Sequence, residues 1–186
     1  QKEKVTALCN DVIQYNLRGV CVRTEWVSLC KEMLQDTNYQ IACVIAFPNT
    51  KSTIQEQVSQ PTFGVVPTEQ KTEAIKTAFS LGASEVDVVL NTSFYLLPQS
   101  DMQEAVYVEV SALQEACAGK RLKLILECDL LSKDKLQLVI EACLKAKVDC
   151  LKNATGYITD GSGAAVELIQ SMRHQINSQS TQTLLK

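Results

Sequence analysis

Ser84-Glu85-Val86-Asp87-Val88-Val89-Leu90 follows a stretch of helical period, Thr68 to Leu81, across a turn at Gly82. The run is nearly all apolar with a single acid, Asp87, inside it, and has no alternating polar face. A strand buried on both sides reads this way, and such strands occur in parallel sheets covered by helices. The same unit recurs outward in both directions. Toward the N-terminus, Lys2 to Gln14 reads as a helix through Val5, Leu8, Cys9, Val12 and Ile13, and Gly19-Val20-Cys21-Val22 as a strand. A second helix begins at Thr24, with Trp26, Val27, Leu29, Cys30, Met33 and Leu34 on its apolar side. The strand Ile41 to Phe47 stops at Pro48, and the long segment Asn49 to Pro67, rich in Ser, Thr and Gln, reads as irregular.

Toward the C-terminus come a helix from about Asp101 to Ala118, a strand Leu122 to Glu127, a helix from near Ser132 to near Lys147, a strand ending at Lys152, and a helix from about Gly163 to Ile176. Five strands alternating with six helices predict an α/β fold. The chain has no strong glycine-rich nucleotide fingerprint. That favours a barrel over a doubly wound open sheet, although periodicity alone does not separate the two. Gly161-Ser162-Gly163 lacks the third glycine and the lysine of a phosphate loop and serves equally as a flexible helix start.

With 46% hydrophobic and 21% charged residues in 186, one ordinary globular domain spanning 1–186 is expected, with the 49–67 loop as an insertion. Eighteen Lys and Arg against twenty-one Asp and Glu give a formal charge of −3. With no basic run or aromatic-basic interleaving, no nucleic-acid partner is expected. The longest apolar runs are strand length, far below the roughly twenty residues that span a bilayer, and no signal peptide precedes them, so no membrane partner is expected. The eight cysteines are widely spaced on apolar faces and fit small buried hydrophobes in a reducing compartment, which points to the cytoplasm. A single histidine, His174, leaves almost no material for a metal cluster or a serine-histidine triad. Neither metal nor cofactor is expected.

In a barrel the functional groups gather at the carboxyl ends of the strands. Three charged residues stand in or at the ends of apolar strands: Asp87, Lys123 and Lys152. Lys152 ends Val148-Asp149-Cys150-Leu151-Lys152 and opens Asn153-Ala154-Thr155-Gly156-Tyr157, where burial lowers the pKa of an ammonium and leaves amine that can attack a carbonyl. Snorkelling into solvent is the plainer role for such a lysine. Facing one another, the three groups would keep Asp87 ionised while the lysines depress each other's pKa, which suits an amine nucleophile with a proton-transfer partner. A buried ion-pair network is the structural alternative.

Thr68-Glu69-Gln70-Lys71, Gly82-Ala83-Ser84-Glu85-Val86-Asp87-Val88-Val89, Lys123-Leu124-Ile125-Leu126-Glu127 and Asp149-Cys150-Leu151-Lys152-Asn153-Ala154-Thr155-Gly156 together resemble the deoxyribose-phosphate aldolase family in order and spacing. Val20-Cys21-Val22 and Ala46-Phe47-Pro48 resemble that family's second and third strands, and the similarity runs from about Lys4 to Ile176. The resemblance implies a TIM-barrel-like (β/α)8 parallel barrel. It also implies a metal-free class I aldolase that reversibly cleaves 2-deoxyribose 5-phosphate to glyceraldehyde 3-phosphate and acetaldehyde. Lys152 then matches the Schiff-base lysine, Asp87 the proton-relaying acid, and Lys123 a further lysine near the site. Cys21, Thr155 and Gly156 are expected to contact substrate, a small phosphorylated sugar or aldehyde.

The chain also departs from the family. Asn153 and Ala154 replace two hydroxyl residues of the usual Lys-Thr-Ser-Thr-Gly motif. Residues 49–67 exceed the family's connection by roughly a dozen, beyond the usual length in such units, and suit a lid or a docking segment. The barrel reads as incomplete. Strands seven and eight, with a second lysine in Lys-x-x-Gly-Gly and a serine pair, are not found, and strand one is either missing or moved to the C-terminus, where Thr183-Leu184-Leu185-Lys186 resembles it with Thr181 in place of its acid. Open edges are normally covered, so a homo-oligomer or a subunit of a larger protein assembly is expected. Two functions follow: an active aldolase, or a catalytically inactive aldolase-fold scaffold.

Overall fold

The structure is a computed structural model that describes the chain except residues 36, 162–165, 180–182 and 186. Six strands, β1 (Gly19–Val22), β2 (Gln40–Ile45), β3 (Glu85–Val89), β4 (Arg121–Ile125), β5 (Cys150–Lys152) and β6 (Leu184–Leu185), form one sheet in chain order, and every neighbouring pair is parallel. The described residues also form seven α-helices: α1 (Lys2–Gln14), which precedes β1, and then α2 (Val27–Met33), α3 (Ile54–Ser59), α4 (Thr68–Ser80), α5 (Gln99–Ala116), α6 (Lys133–Lys145) and α7 (Val166–Gln179). The expected start of the last helix at Gly163 lies outside the described residues.

Strands laid down in sequential order, each joined by a crossover of the same hand, keep their helices on one face of the sheet. The core shows this division. Val20, Val22, Ile41, Cys43, Ile45, Val86, Val88, Leu90, Leu122, Leu124 and Leu151 pack in one apolar cluster with Cys9, Val12, Ile75, Val106, Val110, Val139, Ile140 and Met172 of the helices. The alternate residues Cys21, Ala42, Val44, Glu85, Asp87, Val89, Lys123, Ile125, Cys150 and Lys152 occupy the opposite, inner face. Helices on one side only distinguish a barrel wall from a doubly wound sheet. The wall stays open, because β1 and β6 do not pair with each other.

Three expectations are corrected by the structure. Residues 49–67 are not irregular throughout. Thr53 and Glu56 form a reciprocal capping box that starts α3, the Glu56 N–H donating to Thr53 Oγ1 at 3.2 Å and the Thr53 N–H to Glu56 Oε2 at 2.8 Å. The buried Gln57 then accepts from the N–H groups of Thr62 and Phe63 and folds the segment back on itself. Second, Leu184 and Leu185 of the C-terminal segment do form a strand, but they pair with β5 and not with β1. The segment therefore takes the place that follows β5 and is not a displaced first strand; Thr181 and Lys186 themselves lie outside the described residues. Third, β3 carries two acids on its inner face, since Glu85 and Asp87 are two positions apart. Among the described residues no helix is long and apolar enough to cross a membrane.

Candidate active site

Register brings the inner-face charges together. Asp87 of β3 lies opposite Lys123 of β4, and Ile125 opposite Lys152 of β5. Lys152 Nζ donates to Asp87 Oδ2 at 2.5 Å, and Lys123 Nζ stands 2.6 Å from Asp87 Oδ1. Lys123 also donates to Glu85 Oε1 at 2.7 Å. Asp87 is thus held between two ammonium groups with its side chain 0% exposed, whereas Lys152 keeps 17% of its side chain accessible. Of the two lysines on Asp87, Lys152 is the one an incoming molecule can reach more readily.

The electrostatics differ from the expectation that the two lysines depress each other. Burial acts to lower the pKa of Lys123, but the hydrogen bonds and charges of Asp87 and Glu85 outweigh it and hold that pKa above the ordinary lysine value. Two carboxylates dominate one nearby ammonium. Lys123 is therefore a fixed cation beside Asp87, not a source of free amine.

Above the charged layer lies an apolar one. Val89 and Ile125 continue the inner faces of β3 and β4 and cluster with Phe63, Phe47, Tyr157 and Ile158. Phe47 and Tyr157 meet edge to face, with ring centroids 5.1 Å apart. The α3 segment is pinned to the turn that follows Lys152: the Ser52 N–H donates to Tyr157 O at 3.0 Å, the Thr159 N–H to Ser52 O at 2.8 Å, and the Ile54 N–H to Asp160 Oδ1 at 2.7 Å.

Glu127 shapes the same turn from β4's side. It adopts a left-handed conformation (φ 48°, ψ 61°), unusual for a residue with a Cβ. Its neighbours Leu126 and Cys128 donate their N–H groups to the carbonyls of Lys152 and Asn153 at 2.9 and 2.8 Å. Its buried carboxylate accepts from the Thr155 N–H at 3.0 Å and from the Thr155 hydroxyl. Burial pushes the Glu127 pKa up, opposed by those two hydrogen bonds. Behind β3, Lys71 and Glu109 form a fully buried ion pair, and Lys71 Nζ also donates to Val89 O at 2.9 Å. Among the described residues no group of three or more His, Cys, Asp or Glu side chains is placed to hold a metal ion.

Residues 1–180 match the model of the DeoC/LacD family aldolases. The chain belongs to that family. It is 30% identical over 175 residues to the deoxyribose-phosphate aldolase of Histophilus somni, which covers 94% of this chain and 70% of that protein. It is 32% identical over 177 residues to deoxyribose-phosphate aldolase 1 of Vibrio vulnificus, covering 95% and 72%. Among solved structures, a provisionally assigned deoxyribose-phosphate aldolase from Coccidioides immitis superimposes with a TM-score of 0.84 at 28% identity, over 100% of this chain and 66% of that one. The tetrameric deoxyribose phosphate aldolase of Aeropyrum pernix shares the fold, with a TM-score of 0.78 at 22% identity, over 98% and 69%. The chain thus spans about two thirds to seven tenths of the length of these relatives.

Within this aldolase chain, Asp87, Lys123 and Lys152 converge, and the other three predicted site residues do not join them. Cys21 is exposed on β1, two strands away from β3 at the open edge of the sheet. The Thr155 hydroxyl is engaged at both ends, donating to Glu127 and accepting from the Tyr157 N–H at 3.1 Å, so it shapes the turn. Gly156 is exposed with φ 77°, and the space where a Cβ would point is open. Sequence reasoning missed Glu85 and Glu127. The first was legible as an acid two positions before Asp87, hence on its face; the second closes the β4 run but shows its role only through its contact with Thr155.

Proposed function

We propose that this chain is a deoxyribose-phosphate aldolase-like lyase in which Lys152 forms a Schiff base with a small phosphorylated sugar or aldehyde. The observation that carries the reading is the 2.5 Å contact between Lys152 Nζ and Asp87 Oδ2, made where Lys152 remains partly accessible at the carboxyl end of β5. For the amine to attack a carbonyl carbon it must shed a proton, and the carboxylate already bonded to it takes that proton. The resulting carbinolamine loses water, with Asp87 returning the proton to the departing hydroxyl, and leaves a protonated imine. Asp87, ionised again, takes the proton of the hydroxyl beside the breaking carbon-carbon bond while the imine draws that bond's electron pair, so an aldehyde departs, an enamine remains, and Asp87 holds the proton that the enamine carbon then receives. Protonation of the enamine carbon and hydrolysis of the imine then release the second carbonyl product and restore Lys152. Lys123, a cation fixed 2.6 Å from Asp87's other oxygen, holds the carboxyl group in place beside Lys152.

The apolar layer of Phe47, Phe63, Tyr157 and Ile158 limits water above this chemistry. Thr155 and Gly156 belong to the turn that follows Lys152. No disulfide joins the eight cysteines, as suits a reducing, cytoplasmic setting, and the open edges of β1 and β6 suit assembly with further protein. The inactive-scaffold reading is not favoured, because the three charged groups of the resemblance converge on one another.

Borohydride reduction in the presence of acetaldehyde or 2-deoxyribose 5-phosphate, followed by peptide mass mapping, tests the proposal. The expected result is a reduced adduct on the peptide carrying Lys152, absent from Lys152→Arg. A Lys152 peptide without adduct overturns it.

A further inference from the structure

Glu85 lies one layer below Asp87 on the inner face of β3, buried, and its carboxylate has a cation at each oxygen. Lys123 donates to Oε1 at 2.7 Å, while Arg18 and Arg121 stand 3.7 and 3.6 Å from Oε2. The two arginines are 67% and 41% exposed at the rim, so the charges alternate inward from solvent: Arg18 and Arg121, Glu85, Lys123, Asp87, Lys152. Ala42 is the β2 partner of Glu85 and carries no charge, and the remaining titratable neighbours of Lys123 are the thiols of Cys150, its β5 partner, and Cys21 across a cavity of about 100 Å3. Two carboxylates and two ammonium groups therefore balance in the interior, and Lys123 is the bridge between the carboxylates.

We propose that Glu85 is a positioning residue for the Lys152 site, gripping Lys123 from below so that Lys123 stays on one oxygen of Asp87 and Lys152 keeps the other. This rests on the aldolase reading for its catalytic consequence, but not for its geometry. Neutralising Glu85 leaves Asp87 as the one carboxylate for two nearly dry ammonium groups. Lys123 then sheds its proton more readily, or competes with Lys152 for both oxygens of Asp87. Either way, the acid that must take the proton of Lys152 is no longer held in place.

The test compares the native chain with Glu85→Gln, which keeps the shape and removes the charge, and with Glu85→Asp, which keeps the charge and shortens the reach. The Lys123 titration is followed by NMR in 13Cε-lysine-labelled protein, and the pH profile of acetaldehyde trapping at Lys152 by borohydride. In Glu85→Gln the Lys123 titration moves down by about one pH unit or more, and trapping at neutral pH falls about tenfold with a displaced profile. In Glu85→Asp trapping falls only about threefold while the Lys123 titration stays near native, a result that serves alone if the Gln variant does not fold. An unmoved Lys123 titration in Glu85→Gln, or native trapping in either variant with only thermal stability lost, overturns the proposal. A native protein that forms no Lys152 adduct refutes the aldolase reading instead, and the Lys123 titration then still decides the part played by Glu85.

Discussion

Replacing Lys71 by Met removes one member of an ion pair whose side chains are 0% and 1% exposed, and leaves Glu109 with no cation beside it. The Val89 carbonyl at the end of β3 loses its lysine donor as well. Breaking a buried pair from one side costs about 3–5 kcal/mol, because the remaining charge is desolvated and uncompensated. For a chain of this size the loss corresponds to a fall in Tm of roughly 6–20 °C. Replacing both partners, Lys71→Met with Glu109→Leu, removes the orphaned charge and recovers most of that loss, since well-packed apolar groups often substitute for a buried pair without penalty. Burial already pushes the Glu109 pKa up against the pull of Lys71. In Lys71→Met alone the acid therefore folds most easily when protonated. A folded pKa above the unfolded one means that its contribution is present at acid pH and lost as pH rises, so the stability deficit narrows on going from pH 7 toward pH 5. Urea unfolding of the two single variants and the double variant closes the cycle. A single variant that loses under about 1 kcal/mol, or a double variant that loses the sum of both singles, refutes the reasoning.

Glu127 supplies a second pH effect. Its folded pKa is raised by burial, so the stability it contributes is full below the unfolded carboxylate value of about 4.3 and fades as pH rises through the folded value; Glu127→Gln flattens the fall of Tm above that pH, and an unchanged slope counts against the assignment. Gly64 has φ 67°, and a Cβ there would lie 2.1 Å from the Leu90 carbonyl oxygen. Gly64→Ala combines left-handed backbone strain of about 1 kcal/mol or more with a clash against backbone; it should lower Tm and expose residues 49–67 to limited proteolysis, and a native proteolysis pattern would contradict this.

The parts of the fold legible in the sequence were those whose burial is complete. β1 matches its expected span, and β2 to β5 lie within a residue or two of theirs, because strands covered by helices on one face and packed inside on the other carry near-continuous apolar runs. α3 escaped notice because four of its six residues are polar and no apolar stripe marks it, although Thr53-x-x-Glu56 announced its start. β6 is two residues long, too short for any period to register. Left-handed residues also shape strand ends without a visible signal: Ala46 after β2 and Glu127 after β4 take positive φ without being glycine. At the site, Asp87, Lys123 and Lys152 were readable as charges in the wrong company. The sign of the Lys123 shift was not, because it depends on a second carboxylate that becomes a neighbour only once strand alternation and register are fixed.

The order of the strands explains why these charges have a place to stand at all. Consecutive crossovers of one hand commit the helices to one face, so β3 can bury Val86 and Val88 against helices while Glu85 and Asp87 face the inside of the wall. An inner face formed that way can hold titratable groups provided they satisfy one another. Here Glu85 and Asp87 on β3 are answered by Lys123 on β4 and Lys152 on β5, with Val89 and Ile125 closing over them. The most buried carboxylate of this set, Asp87, thereby sits against its most accessible lysine, Lys152. A network whose other members are nearly sealed, yet whose terminal amine is left partly open at the strand ends, is arranged to be completed by a molecule that arrives there.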